Sequence, residues 1–132
     1  MTTKNKKIIK RIIEESDKKN IKSYMNYFAD DIRWKIVGMP VISGKKDFLE
    51  TMKMIESTGC PEVVIKNIIA EGEFVVVESS GEQGSQFKPS YCDIYRIKNG
   101  KILELTTYIV DTTLNNEQWV KELLRKKNLE RR

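Results

Sequence analysis

Residues 89–113 read PSYCDIYRIKNGKILELTTYIVDTT, and the dipeptide Asn99-Gly100 at their centre decides how the stretch folds. A two-residue hairpin turn needs positive φ at both central positions, which Asn and Gly adopt most readily. The flanks supply two strands, Tyr91–Lys98 going out and Lys101–Val110 coming back. Side chains alternate across a strand, so Tyr91, Asp93 and Tyr95 share one face and Cys92, Ile94 and Arg96 the other. A carboxylate between two tyrosines on a largely apolar face is costly unless it is paired or protonated. Asp93 is therefore the first candidate for chemistry.

Upstream, Ile8, Ile9, Ile12 and Ile13 recur at helical spacing and predict an amphipathic helix over Thr3–Asp17. Asn20 is placed to cap a second helix carrying Ile21, Tyr24, Met25 and Phe28 on one face, ended by Ala29-Asp30-Asp31. Ile32, Trp34 and Ile36 alternate with Arg33, Lys35 and Val37 as a short strand. A third helix starts at Ser43 or Gly44, with Phe48, Leu49, Met52 and Ile55 on one face, and closes at Gly59 before Pro61. Val63–Ala70 and Phe74–Ser80 are two more strands, turning near Glu71-Gly72. The stretch Gly81–Pro89 reads as an exposed loop. Asn115 and Gln118 resemble a capping box opening a last helix that buries Trp119, Val120, Leu123 and Leu124, with a frayed end from Arg125.

Helices first and consecutive antiparallel strands late argue for an α+β domain spanning residues 1–132. Helices packed across the concave face of a curved sheet would leave a cavity between the layers. Aromatics and methionine on the inward faces, namely Tyr24, Trp34, Phe28, Phe48 and Met52, would line it and suit a small apolar or aromatic molecule. Phe28 and Phe48 equally serve as plain core. Tyr24 and Trp34 carry polar tips that can reach a ligand.

Composition narrows the chemistry further. The sequence contains no histidine, which removes Ser-His-Asp and Cys-His nucleophilic sites. Two cysteines, Cys60 and Cys92, cannot complete a tetrahedral zinc shell and make no disulfide framework, so no metal or cofactor is expected. The net charge of +5 sits mostly in terminal segments without interleaved aromatics, and reads as solvated helix faces rather than a nucleic-acid surface. No apolar run approaches the ~20 residues of a membrane span, and the broken apolar N-terminal stretch is no signal-peptide core. The expected location is the cytoplasm.

Three stretches carry a resemblance to a known group: YFADDIRWKIVG from Tyr27, SGKKDF from Ser43, and above all SYCDIYRIKNGKILELTTYIVDT from Ser90. They resemble the nuclear transport factor 2-like superfamily, the cystatin-like, cone-shaped fold of ketosteroid isomerases, SnoaL-like polyketide cyclases and limonene-epoxide hydrolase. The resemblance implies that Tyr91, Asp93 and Tyr95 point into the cavity, together with Leu105, Thr107, Ile109 and Asp111 from the partner strand. It also implies a homodimer through the other face of the sheet, with Cys92, Ile94 and Tyr108 near the two-fold axis.

The precedents match only in part. Asp93-Ile94-Tyr95-Arg96 is similar to the isomerase segment that supplies a protonated acid to an oxyanion hole, a system long used to illustrate a carboxylic acid kept neutral at neutral pH. The isomerase's general-base aspartate would fall in Lys35-Ile36-Val37, and its helix-one tyrosine near Ile12, where neither is present. The hydrolase's Arg, Asp and Asp positions fall near Ser79, Gly81 and Thr107, so that triad is missing too.

What the resemblance leaves is Asp93 as general acid or base, with Asp111 as a second candidate acid and Tyr91 or Tyr95 orienting a carbonyl substrate. Asp111 suits a strand end and turn equally well. Glu78, interrupting Phe74-Val75-Val76-Val77, faces either the cavity or the outer surface. The competing reading is a non-catalytic ligand-binding or protein-interaction module of the same fold.

Overall fold

The structure is a computed structural model and describes residues 2–57, 63–81, 89–111, 121 and 123–127. Along the chain come α1 (Thr2–Asp17), α2 (Ile21–Tyr24), a 3-10 turn (Met25–Tyr27), β1 (Phe28–Ile36), β2 (Ile42–Ser43), α3 (Lys45–Ser57), β3 (Val63–Glu71), β4 (Phe74–Gly81), β5 (Pro89–Lys98) and β6 (Lys101–Asp111). The strands form one six-stranded sheet in the order β2-β1-β6-β5-β4-β3. It is antiparallel except where β1 runs parallel to β6. Register shifts in the β1–β6, β3–β4 and β5–β6 pairings bend the sheet, as an extra residue on one strand does.

The hairpin forms as its sequence dictates. Asn99 and Gly100 both take positive φ, 52° and 74°. Pairing then runs without interruption from Tyr95 opposite Leu105 to Pro89 opposite Asp111. The strands extend past their sequence-predicted ends, so Gly81 and Pro89 belong to β4 and β5 rather than to the intervening loop.

Two local expectations fail. The second helix stops after one turn at Tyr24, and Ala29, Asp30 and Asp31 belong to β1. The helical spacing from Ile21 to Phe28 misleads because Tyr24, Met25 and Phe28 are buried whether the chain coils or turns. Asn20 precedes α2 but makes no side-chain cap bond; its backbone carbonyl instead accepts from the Ser23 hydroxyl at 2.7 Å. The opening of the last helix and its Trp119 and Val120 lie outside the described residues. Residues 123–127 are helical rather than frayed, and Leu123 and Leu124 are 43% and 53% exposed, with no described element covering them.

The core lies between the helices and one face of the sheet. Ile9 and Ile12 from α1, Tyr24 from α2 and Phe48 from α3 pack with Ile32, Trp34, Val75, Val77, Ile97, Ile102 and Leu105. Full burial of each large apolar side chain contributes roughly 1.5–3 kcal/mol. Phe48 is the hub on the helical side, with its ring centroid 4.6 Å from Phe28 and 5.3 Å from Trp34.

Candidate functional site

Strand register builds the site. One cross-strand row on the helix-facing side runs Ile68, Val77, Asp93, Thr107, Ile36. The next runs Ala70, Val75, Tyr95, Leu105, Trp34. Asp93 and Tyr95 therefore share one face, as their alternation predicted, and it is the face that meets the core. Trp34 reaches diagonally from its row: its Nε1–H donates to Thr107 Oγ1 at 2.9 Å, and the Thr107 hydroxyl donates to Asp93 Oδ1 at 2.6 Å. The result is a polar chain from β1 through β6 to β5, buried at Trp34 and Thr107 and part-buried at Asp93. The described hydrogen-bond partner of Asp93 is thus Thr107.

The electrostatics follow from burial. Removal from water pushes the Asp93 carboxyl above the usual carboxylate range, and the Thr107 hydrogen bond pulls part of that rise back. The Tyr95 phenol is pushed well up by burial and then by the nearby Asp93 and Tyr24. Burial also raises Tyr24, with Glu56 adding to the rise and Ser16 offsetting some of it. The Ser16 side chain is a hydrogen-bonding neighbour of the Tyr24 hydroxyl, yet no bond of full hydrogen-bond geometry reaches that buried oxygen among the described residues.

Trp34, Thr107 and Tyr95 are thus gathered around Asp93, and Tyr24 approaches Tyr95. Met52 is half-buried against the core on α3. Tyr91 shares the Asp93 face by alternation, opposite Ser79 and Ile109, but it also borders a groove on the other side of the sheet. Asp111 ends β6 opposite Pro89, and its side chain lies outside what is described. Glu78 does not face the concave side: it lies in the opposite row Asn67, Glu78, Cys92, Tyr108 and accepts from Asn67 Nδ2 at 2.7 Å. Among the described residues no group of three His, Cys, Asp or Glu side chains is placed to hold a metal, and no helix is long and apolar enough to cross a membrane.

The outer face carries a broad apolar surface. Ile69 is 63% exposed, Val110 54%, and Phe74 and Tyr108 nearly half. An open groove of about 370 Å³ runs across it, lined by Lys66, Ile69, Glu78, Cys92, Tyr108 and Val110 among others.

A bent six-stranded sheet with helices against one face is the nuclear transport factor 2-like fold. The chain resembles an NTF2-like protein of unknown function from Cytophaga hutchinsonii at 26% identity, with a TM-score of 0.65 over 83% of this chain and 99% of that one. An LEH-like epoxide hydrolase from M. tuberculosis superposes with a TM-score of 0.70 at 16% identity, over 95% of this chain and 98% of the other. A protein assigned as a ketosteroid isomerase from Kribbella flavida gives 0.73 at 13% identity, over 84% and 81% of the two chains. No curated protein matches the sequence. The chain belongs to the SnoaL-like family: the model of the SnoaL-like domain matches residues 9–105, well over half of its length.

Proposed function

We propose that this SnoaL-like protein takes a small apolar or aromatic carbonyl compound against the concave face and moves a proton on it through Asp93. The reaction class is isomerisation, cyclisation or lyase-type elimination, run without a cofactor. The observation that carries this reading is a carboxyl on the core side of the sheet with no cation beside it among the described residues. Its only described partner is a hydroxyl, and burial outweighs that hydrogen bond, so its pKa stands above the usual carboxylate range. A carboxyl with a raised pKa is suited to general acid–base work. The Tyr24 hydroxyl supports a ligand as well: it has no partner of full hydrogen-bond geometry among the described residues, and a buried donor of that kind gains from a bond supplied by a substrate. Tyr95, Tyr91, Trp34, Met52 and Thr107 would shape the contact, and Asp111 would be the second acid.

The test is deuterium incorporation from D2O into a panel of cyclic enones and β-dicarbonyl compounds, followed by NMR. The wild type should exchange the α-protons of at least one compound, and Asp93→Asn should abolish the exchange. Equal exchange by both proteins would rule Asp93 out.

A second reading has its own support. Tyr24, Trp34 and Phe48 are nearly completely buried, and Asp93 already has a partner, as expected where the face is filled by packing. A non-catalytic binding or interaction module would show no exchange with either protein. We further propose that the outer face receives a second copy of the chain. Lys66 and Glu78, both exposed in the same apolar groove, can pair reciprocally across a two-fold axis.

A further inference from the structure

Trp34, Thr107 and Asp93 have an order of donors that the chemistry of the groups leaves no freedom to reverse. The indole has an N–H and no acceptor. It occupies one lone pair of Thr107 Oγ1. Thr107 is buried, its hydroxyl has one proton, and Asp93 Oδ1 is the only acceptor it meets among the described residues. Oδ1 is therefore committed as an acceptor.

We infer that Trp34 and Thr107 are positioning residues that close Asp93 Oδ1 to proton exchange and leave Oδ2 as the oxygen through which the acid gives or takes a proton. The inference rests on Asp93 being the acid–base group proposed above, and it adds two residues that set its direction. The groups packed around Asp93 introduce no competing titration. Val77 from β4 is apolar, Thr107 from β6 and Trp34 from β1 are neutral, and Tyr95 on β5 and Tyr24 on α2 stay protonated throughout the carboxyl range. Tyr24 reaches this cluster through Tyr95, and Glu56 acts on Tyr24.

The experiment is a carboxyl-13C NMR titration of protein labelled at aspartate, with the Asp93 signal assigned by its loss in Asp93→Asn. Thr107→Val should raise the Asp93 midpoint, lowering its acid dissociation constant roughly tenfold or more, the size of one hydrogen bond to a charged group. Thr107→Ser should restore the wild-type midpoint. Trp34→Phe keeps the hydroxyl but frees it to rotate, and should raise the midpoint by a smaller amount.

An unchanged or lowered midpoint in a folded Thr107→Val protein would overturn the inference. Should that variant fail to fold, Trp34→Phe decides, and an unmoved midpoint there has the same force. A shifted midpoint without deuterium exchange on any carbonyl compound would leave the proton geometry standing and sink only the acid–base function.

Discussion

Trp34 on β1 and Phe48 on α3 meet with ring centroids 5.3 Å apart and planes inclined by 57°. This contact fastens the third helix to the strand that also supplies the indole donor of the polar chain. Phe48→Ala would open a cavity at that junction and should cost about 3–5 kcal/mol, read as a lowered denaturation midpoint in urea. A loss under 1 kcal/mol would mean the helix is anchored elsewhere.

Tyr24→Phe should behave in the opposite way. The hydroxyl it removes is buried and has no partner of full hydrogen-bond geometry among the described residues, so stability should be unchanged or rise by up to about 1 kcal/mol. If the hydroxyl meets a ligand, the same variant should bind that ligand more weakly while melting no lower.

The pH dependence of stability carries a definite sign. The Asp93 pKa is raised in the folded protein, so the native state holds more protons than the unfolded chain between the two values. Stability from this group is full below the ordinary carboxylate pKa and is lost as pH rises through the elevated one. Asp93→Asn cannot ionise and can still accept from Thr107. Its melting temperature relative to wild type should therefore rise as pH climbs above the ordinary carboxylate range, and a pH-independent difference would contradict the raised pKa.

Gly100 holds φ at 74° in the tight turn. A β-branched residue is strained there, and Gly100→Val should cost about 1–2 kcal/mol in thermal or chemical unfolding. Nothing crowds the missing Cβ, so the cost would be conformational rather than steric contact with a neighbour.

Tyr108 and Ile69 stand exposed on the outer face of the sheet. If a second copy covers them, sedimentation velocity should show a dimer for the wild type and a monomer for Tyr108→Lys combined with Ile69→Lys. A wild-type monomer at all accessible concentrations would remove that proposal.

The hairpin was readable because two strong local rules agree there. Asn99-Gly100 sets the turn, and the period of two then assigns Tyr95 and Asp93 to one face all the way along β5. Phe28 was misplaced for the converse reason: its spacing from Tyr24 fits a helix, and burial alone does not separate a helix face from a strand start. The polar chain could not be read at all. It joins positions 34, 93 and 107, and only the parallel pairing of β1 with β6 brings the first of them beside the last. Thr107 was singled out as a lining residue, but nothing in its neighbourhood in the sequence marks it as the hydroxyl that holds Asp93.

That same parallel pairing constrains how the molecule can be assembled. Trp34 aligns with Leu105 and Ile36 with Thr107, so the opening strand waits for a mate made some seventy residues later. Until then β1 has only the two-residue β2 at its side and a row of unpaired amides at the other edge. During synthesis on the ribosome the sheet cannot close before β6 has emerged. Long-range closure of this kind slows folding relative to local pairing. A chain ending anywhere before residue 101 would lack the strand that joins β1 to the rest, and with it the Thr107 hydroxyl that holds Asp93.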